Sequence, residues 1–477
     1  MKIEGVRWLL LGRQSHLRCV RQHCDLWGMM KISVVGLGKL GAPIVAVLAS
    51  KGYDVVGIDA NPSFVEKINS HIAPVEEPQL QELLTAHKAQ ISATTDWAKA
   101  VCETDITAVI VPTPSGADGA FRNDYVLSVM DEVGRVLANK PGYHLVVIHS
   151  TTMPGSVGGP IRQHLERASG RKIGPELGLC YNPEFIALGD VINGLLHPDF
   201  ILIGESDKKA GDILESIYRS VVGSNANVAR MNFVNAELTK ISVNTYVTMK
   251  ISFANMLGEI CDRLEGADVS IVADAIGRDT RIGKKYLKPA VGYGGPCFPR
   301  DTIAFGRVAH LVGGSADLAL STDAINRRQI ARLIELIEDL IPASGTVAVL
   351  GLSYKPDTPV IEESQGVMLA KALDDSGFAV VAHDPMATAP AKSVLGDTAR
   401  FFATAREAVS MADATVIITP WVEYAAIAPD WFRDGRTRFI VDCWRQLTPE
   451  LFGDHCHVVY LGHQETIAAA AKRLAAE

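Results

Sequence analysis

The chain has 477 residues, 48% of them hydrophobic and 21% charged, with 41 Gly and 23 Pro. At roughly 100–200 residues per domain this is an ordinary multidomain globular composition, which excludes a single small module, a disordered chain, collagen and a coiled coil as the main theme. The 46 basic residues against 54 acidic ones leave a net charge of −8, so no global basic field draws the chain onto nucleic acid or an anionic membrane.

The first 28 residues hold a short apolar stretch, Trp8 to Leu11, set among Arg7, Arg13, Arg18 and Arg21, with no clean small-residue cleavage site after it. The pair Met29-Met30 stands directly before the onset of regular patterning at KISVVGLG. Residues 1–28 therefore read as an extension from an upstream start codon, with a targeting or oligomer-specific tail as the alternative. No apolar run in the chain approaches the roughly 20 residues of a membrane-spanning helix. The eight cysteines, at 19, 24, 102, 180, 261, 297, 443 and 456, include no C-x-x-C pair and no zinc-ribbon spacing, which reads as reduced thiols in a cytoplasmic protein with no metal-ligand pattern.

Residues 31–36 (KISVVG) are a β-branched run ending in glycine, residues 42–50 (APIVAVLAS) continue as an apolar helix, and YDVVGIDAN is a second strand closing on Asp59. Strand, glycine turn, helix, strand, acid is the order of a βαβ unit. Further runs at DITAVIVPTP, YHLVVIHST, ELGLCYNPEF and PDFILIGE alternate with helical segments, which predicts one parallel sheet covered on both faces. From Asn235 the periodicity becomes helical over about thirty residues without proline, and more helix flanks a Gly-rich loop at 292–301. IPASG at 341–345 breaks the chain, and TVAVLGLSYKPDT, FAVVAHDP, DATVIITPW and FIVDCW form a second α/β set before an Ala-rich tail helix. The fold class expected is α/β: two Rossmann-like parallel-sheet domains, residues 29–234 and 341–477, joined by a helical middle domain, 235–340, with a long central helix.

The first βα turn carries Gly36, Gly38 and Gly41 in G-x-G-x-x-G spacing, with Asp59 18 residues beyond Gly41. The first glycine permits the tight turn, the second lets backbone approach a pyrophosphate, and the third allows close helix packing. Amides at the helix start bind phosphate, with Leu40 among them. An acid at Asp59 accepts hydrogen bonds from the adenosine ribose and repels a 2′-phosphate, so NAD is expected rather than NADP. A plain turn and an exposed strand-end acid would account for each residue alone but not for their separation.

A second cluster, residues 281–301 (RIGKKYLKPAVGYGGPCFPRD), sets Cys297 behind Gly292, Gly294 and Gly295, a loop whose backbone can come close to a ligand. Arg300 and the upstream basic residues favour the thiolate form of a nucleophile. A lone cysteine would read first as a small buried hydrophobe.

The ordered set VGLGKLG, IVPTP, HSTTMPGS, NPEF, AELTKISVN, GRDTRIGKKYL, GYGGPCFPRD and LGLSYKPDT resembles the UDP-glucose/GDP-mannose dehydrogenase family over residues 30–465. The resemblance implies an NAD-dependent enzyme that oxidises the primary alcohol of a nucleotide-linked hexose to the carboxylate in two steps, with the C-terminal domain binding the nucleotide. It implies that Cys297 captures the aldehyde as a thiohemiacetal, later a thioester, and that Lys240, one helical turn before Asn244, stabilises developing alkoxide charge. Asp301, Thr151 and Glu184 match family residues that position or activate water or do acid/base work. Thr113 joins Gly36, Gly38, Leu40, Gly41, Asp59 and Thr151 on the cofactor side. Phe185, Lys240, Asn244, Arg281, Tyr286, Lys288, Tyr293, Gly294 and Lys355 fall at substrate positions, with Arg281 reaching a neighbouring subunit.

Two positions depart from the pattern. Leu188 stands where many UDP-glucose members carry a second glutamate, and Glu362 stands where an arginine is common. The resemblance therefore implies UDP-glucose as first substrate, with UDP-N-acetylmannosamine and GDP-mannose as alternatives. A two-electron 3-hydroxy-acid or 6-phosphogluconate-type dehydrogenase is the rival class of enzyme, and a non-catalytic nucleotide-sugar-binding regulator is a third class. The expected partners are the nucleotide sugar and at least one further copy of the chain.

Overall fold

A computed structural model describes residues 30–432, 438–453 and 456–474. The proposed extension at residues 1–28 lies outside the described residues. The chain forms two compact units that divide after Lys240.

The first unit is an eight-stranded sheet in the order β3-β2-β1-β4-β5-β6-β7-β8. Its strands are β1 Lys31–Val35, β2 Asp54–Ile58, β3 Ile91–Thr94, β4 Ile106–Val109, β5 His144–Ile148, β6 Leu177–Tyr181, β7 Ile201–Glu205 and β8 Val228–Met231. Near-continuous apolar runs such as HLVVI suit strands buried on both faces. In β5, Leu145 and Val147 pack into one core while Val146 and Ile148 pack into the other. Fully burying one such side chain contributes about 1.5–3 kcal/mol. Helices α1 Gly41–Ser50, α2 Asp124–Leu137 and α3 Lys208–Val222 belong to this unit.

The sheet is parallel except that β7 runs antiparallel to β6, with β8 parallel to β7. The reason lies in the connection. Between Tyr181 and Ile201 the only helix is Val191–Leu196, six residues long. At 1.5 Å per residue it spans about 9 Å, shorter than a five-residue strand of about 17 Å, so no full-length crossover helix joins the two strands. The chain re-enters the sheet at the end where it left.

The long helix α4 runs Phe233–Cys261, close to the span expected from Asn235 onward. The second unit, from Ile241, contains α5 Val269–Gly277, α6 Phe298–Leu311, α7 Asp317–Leu340 and α8 Gln365–Asp375. It also holds β9 Thr346–Leu350, β10 Ala379–His383, β11 Arg400–Phe401, β12 Ala414–Ile417, β13 Phe439–Asp442 and β14 His457–Tyr460. These form an all-parallel sheet ordered β11-β10-β9-β12-β13-β14. The first six strands of each unit thus share one doubly wound order, which opens a ligand crevice where the strand order reverses, beside β1 in the first sheet and β9 in the second. Among the described residues no helix is long and apolar enough to cross a membrane.

Candidate active site

In the first unit the glycine turn is held by close backbone contacts. Gly36 has φ +95°, donates to Ile58 O at 2.7 Å, and a Cβ placed on it would lie 2.1 Å from Ile110 O. A Cβ on Gly41 would lie 1.7 Å from Gly36 O, whereas one on Gly38 meets nothing within 4 Å. Two of the three glycines are therefore demanded by the protein itself, and the third faces open space. Leu40 occupies the N-cap of α1 without a side-chain cap, and no acid sits in the first turn. The helix start is thus free of the carboxylate that would repel an anion. Asp59 accepts from the Leu37 amide at 2.7 Å and the Asn61 amide at 2.8 Å, which fixes its carboxylate at the end of β2.

Thr113 donates its hydroxyl to Thr151 O at 2.7 Å. The loop beyond Thr151 is clamped by Glu237 of α4, a fully buried carboxylate that accepts from Gly155 N at 2.7 Å, Val157 N at 2.8 Å and Thr152 Oγ1 at 3.1 Å. Burial raises its pKa, and the amides it accepts from oppose that shift. Sequence reasoning passed over Glu237; the available signal was an acid inside an apolar helix, one turn before Lys240.

Glu184 and Lys240 come together. Lys240 Nζ donates to Glu184 O at 2.8 Å and stands 4.7 Å from the centre of the Phe185 ring. The Glu184 carboxyl accepts from Tyr218 at 2.9 Å and lies 3.3 Å from His149 Nδ1. Leu188 packs against the apolar core of the first unit.

In the second unit Cys297 is exposed at the N-cap of α6. A helix N-terminus is a setting that stabilises thiolate. Its carbonyl accepts from the Asp301 amide at 2.8 Å. Asp301 is 1% exposed, and its carboxylate accepts from Asn244 Nδ2 at 2.7 Å and stands 3.5 Å from Arg300 Nε. Cys297, Asp301 and Asn244 are thus assembled in one unit by two helices.

The glycines before Cys297 are explained by protein neighbours. A Cβ on Gly292 would come within 2.6 Å of Gln365, one on Gly294 within 2.2 Å of Glu363 O, and one on Gly295 within 2.6 Å of the Tyr354 ring. Gly295 also donates to Glu362 O at 3.0 Å. Close approach to residues 354–365 is therefore one reason why these three positions carry glycine. Burial, followed by the charges of Cys297 and Glu362, pushes the Tyr354 phenol well above its ordinary range.

Tyr293 is buried, donates its amide to Asn326 at 2.7 Å, and meets Phe298 edge-on at 6.3 Å. Tyr286 is exposed, has φ +63° and lies edge-on to the same ring at 6.2 Å. Lys288 Nζ sits 5.4 Å from the Trp444 ring centre, and Lys355 is half-buried. Arg281 is exposed and pairs with Asp279 at 2.6 Å. In the second sheet Asp384, at the position matching Asp59, accepts from the amides of Leu352, Ser353, Met386 and Ala387, from Ser353 Oγ and from Trp421 Nε1.

Comparison with known proteins agrees with this layout. Residues 30–222 match the profile of the UDP-glucose/GDP-mannose dehydrogenase family NAD binding domain, residues 234–328 its central domain, and residues 348–449 its UDP binding domain. The chain belongs to the UDP-glucose/GDP-mannose dehydrogenase family. A UDP-glucose 6-dehydrogenase of Haloferax volcanii is 35% identical over 423 residues, covering 88% of this chain and 97% of that protein. A GDP-mannose 6-dehydrogenase of Pseudomonas savastanoi pv. phaseolicola is 35% identical over 353 residues, covering 73% and 79%. The solved structure of a UDP-glucose dehydrogenase from Pyrobaculum islandicum superposes with a TM-score of 0.81 at 33% identity, covering 91% and 97%.

As a member of this family the protein is an NAD-dependent nucleotide-sugar 6-dehydrogenase, an oxidoreductase. Membership sets aside the two-electron 3-hydroxy-acid class. The first unit fits the cofactor: the space over Gly38 is open, the helix start lacks an acid, and Asp59 is fixed at the strand end. The UDP binding domain supplies the nucleotide side of the substrate.

Proposed function

We propose that the enzyme converts UDP-glucose to UDP-glucuronate by four-electron oxidation through a covalent adduct on Cys297. The observation that carries the covalent step is an exposed cysteine at a helix N-terminus backed by the buried Asp301–Asn244 pair. Gly36, Gly38, Gly41 and Asp59 would hold NAD, which would supply the two-electron acceptor for each of the two oxidations. As the sugar hydroxyl gives its proton to water, the Lys240 ammonium offsets the developing negative charge, a type of contact whose loss costs on the order of 10²–10³ in rate. The Cys297 sulfur adds to the aldehyde carbon while the carbonyl oxygen takes a proton, which retains the aldehyde as a thiohemiacetal. At the thioester stage water attacks the acyl carbon, the C–S bond breaks and the thiol is regenerated. Thr151, Glu184 and Asp301 match the family residues that orient such a water or handle its proton.

The choice of UDP-glucose is supported by the names and coverage of the Haloferax and Pyrobaculum proteins. Leu188 favours a second reading, GDP-mannose or UDP-N-acetylmannosamine, because its side chain is apolar and packed on the core where a carboxylate would assist hydrolysis. A panel of these nucleotide sugars, read as NADH formed per sugar consumed, decides between them. Two NADH per UDP-glucose is expected, and no turnover of UDP-glucose beside turnover of another sugar overturns the choice.

The working form is a dimer or larger homo-oligomer. Tyr246, Phe253 and Ile260 recur every seven residues along α4 and are 59%, 43% and 52% exposed, a stripe of the kind a second copy covers. Sedimentation of a fully active monomer would contradict this. Cysteines read as reduced thiols go with a cytoplasmic location.

A further inference from the structure

The residues around Glu184 pose a question of proton supply. The Tyr218 hydroxyl has one proton and two acceptors in reach, Asn182 Oδ1 and Glu184 Oε1. Asn182 cannot turn to relieve the shortage, because its Nδ2 donates to Leu202 O at 2.8 Å and its amide donates to Ile148 O at 2.8 Å. When the phenol serves Asn182, Glu184 Oε1 needs a proton of its own to bond the phenol oxygen. When the phenol serves Glu184, Oε1 is an acceptor and keeps a second lone pair for another donor. His149, directly after β5, stands beside that carboxyl: its Nδ1 lies 3.3 Å from Glu184 Oε1, is a buried ring nitrogen that makes no hydrogen bond among the described residues, and the residue is 7% exposed.

The groups facing this pair are few. Lys240 approaches from α4 and holds the Glu184 carbonyl; Tyr218 approaches from α3. His149 and Tyr218 also line a cavity of about 50 Å³ whose other walls are apolar, among them Val47 from α1, Ala108 from β4, Leu195, and Leu214 from α3. Desolvation, then the Glu184 charge, push the Tyr218 phenol well above its ordinary range, so it stays a neutral bridge.

We propose that His149 is a positioning residue that exchanges a proton with the Glu184 carboxyl across their 3.3 Å approach. In the exchange the Glu184 O–H bond breaks and an N–H bond forms at His149 Nδ1, leaving carboxylate and imidazolium; the return step reverses this. Histidine is the side chain that changes charge between pH 5 and 8. The proposal rests on the reading of Glu184 as an acid/base group.

The test is the pH dependence of kcat from pH 5 to 9 for the full-length enzyme and its His149→Asn, His149→Ala and Glu184→Gln variants, each checked for parental Tm. Asparagine places an amide donor near the Nδ1 position but carries no titrating proton. The Asn variant is expected to keep its plateau rate within about threefold while its acid limb moves by about half a pH unit or more, with KM for NAD and sugar unchanged; the Ala variant loses about tenfold on the plateau. In ¹⁵N-histidine NMR, which needs no activity, the His149 titration should move in Glu184→Gln. A His149→Asn profile that superimposes on the parent, beside a slowed Glu184→Gln, overturns the proposal alone. A Glu184→Gln enzyme with parental rate and profile removes the reading of Glu184 and the proposal with it.

Discussion

Replacing the three glycines of the first βα turn one at a time by alanine separates what the fold needs from what the cofactor needs. Gly36→Ala puts a side chain at φ +95° and a methyl 2.1 Å from Ile110 O. The left-handed conformation costs about 1–2 kcal/mol and the overlap about 1–3 kcal/mol, a total of about 2–5 kcal/mol. At roughly 2–4 °C per kcal/mol for a unit of this size, Tm falls by about 4–20 °C. Gly41→Ala meets Gly36 O at 1.7 Å without a positive φ and loses about 1–3 kcal/mol. Gly38→Ala meets nothing and should leave stability within about 0.5 kcal/mol, yet its methyl fills the space a pyrophosphate needs and should weaken NAD binding by about tenfold or more. Thermal unfolding and NADH fluorescence titration read the two effects separately. A Gly38→Ala enzyme with parental NAD affinity, or a Gly36→Ala enzyme with parental Tm, would refute the assignment of these roles.

Cys297→Ala should stop net acid formation, lowering turnover by about 10³-fold or more while leaving NAD binding intact, as followed by NADH release and titration. Asn244→Ala leaves the buried Asp301 carboxylate without its 2.7 Å donor, and urea unfolding should show a loss of about 1–3 kcal/mol alongside reduced kcat. Glu237→Ala strips an acceptor from two amides and a hydroxyl in the 152–157 loop; each orphaned donor costs about 1–3 kcal/mol, and thermal unfolding should show a loss of at least that size. Acid should weaken the first unit through His144, whose pKa is held well below 6.5 by burial and then by the charges of Lys140 and Arg171. Because the unfolded chain takes up that proton first, stability is fully present above about pH 6.5 and falls as pH drops below it; Tm measured from pH 7.5 to 5 should decline less in His144→Gln.

The apolar β-branched runs KISVV, HLVVI and TVAVL made both sheets legible, since strands buried on two faces have no choice but continuous hydrophobicity. The strands that escaped notice were ISAT, VARM, RF and HVVY. They lie at the sheet edges, where one side goes unpaired and polar residues are tolerated. The reversal at β7 was hidden because direction depends on the path of the connection and not on the strand's own pattern. At the site, Cys297, Asp301 and Asn244 were named from sequence and do assemble, whereas His149, Tyr218 and Glu237 were not. Their partners lie 34 to 85 residues away in the chain, and only the fold shows that a histidine after one strand faces a carboxyl after the next.

The twofold use of one strand order bears on stoichiometry. Asp59 has two amide donors and retains lone pairs for a ribose, while its counterpart Asp384 is surrounded by six donors and has none to offer. Saturation of that second carboxylate by its own chain makes the two halves chemically unequal despite their common topology. Coenzyme titration should therefore end at a single equivalent per polypeptide, and attempts to alter coenzyme preference belong at Asp59.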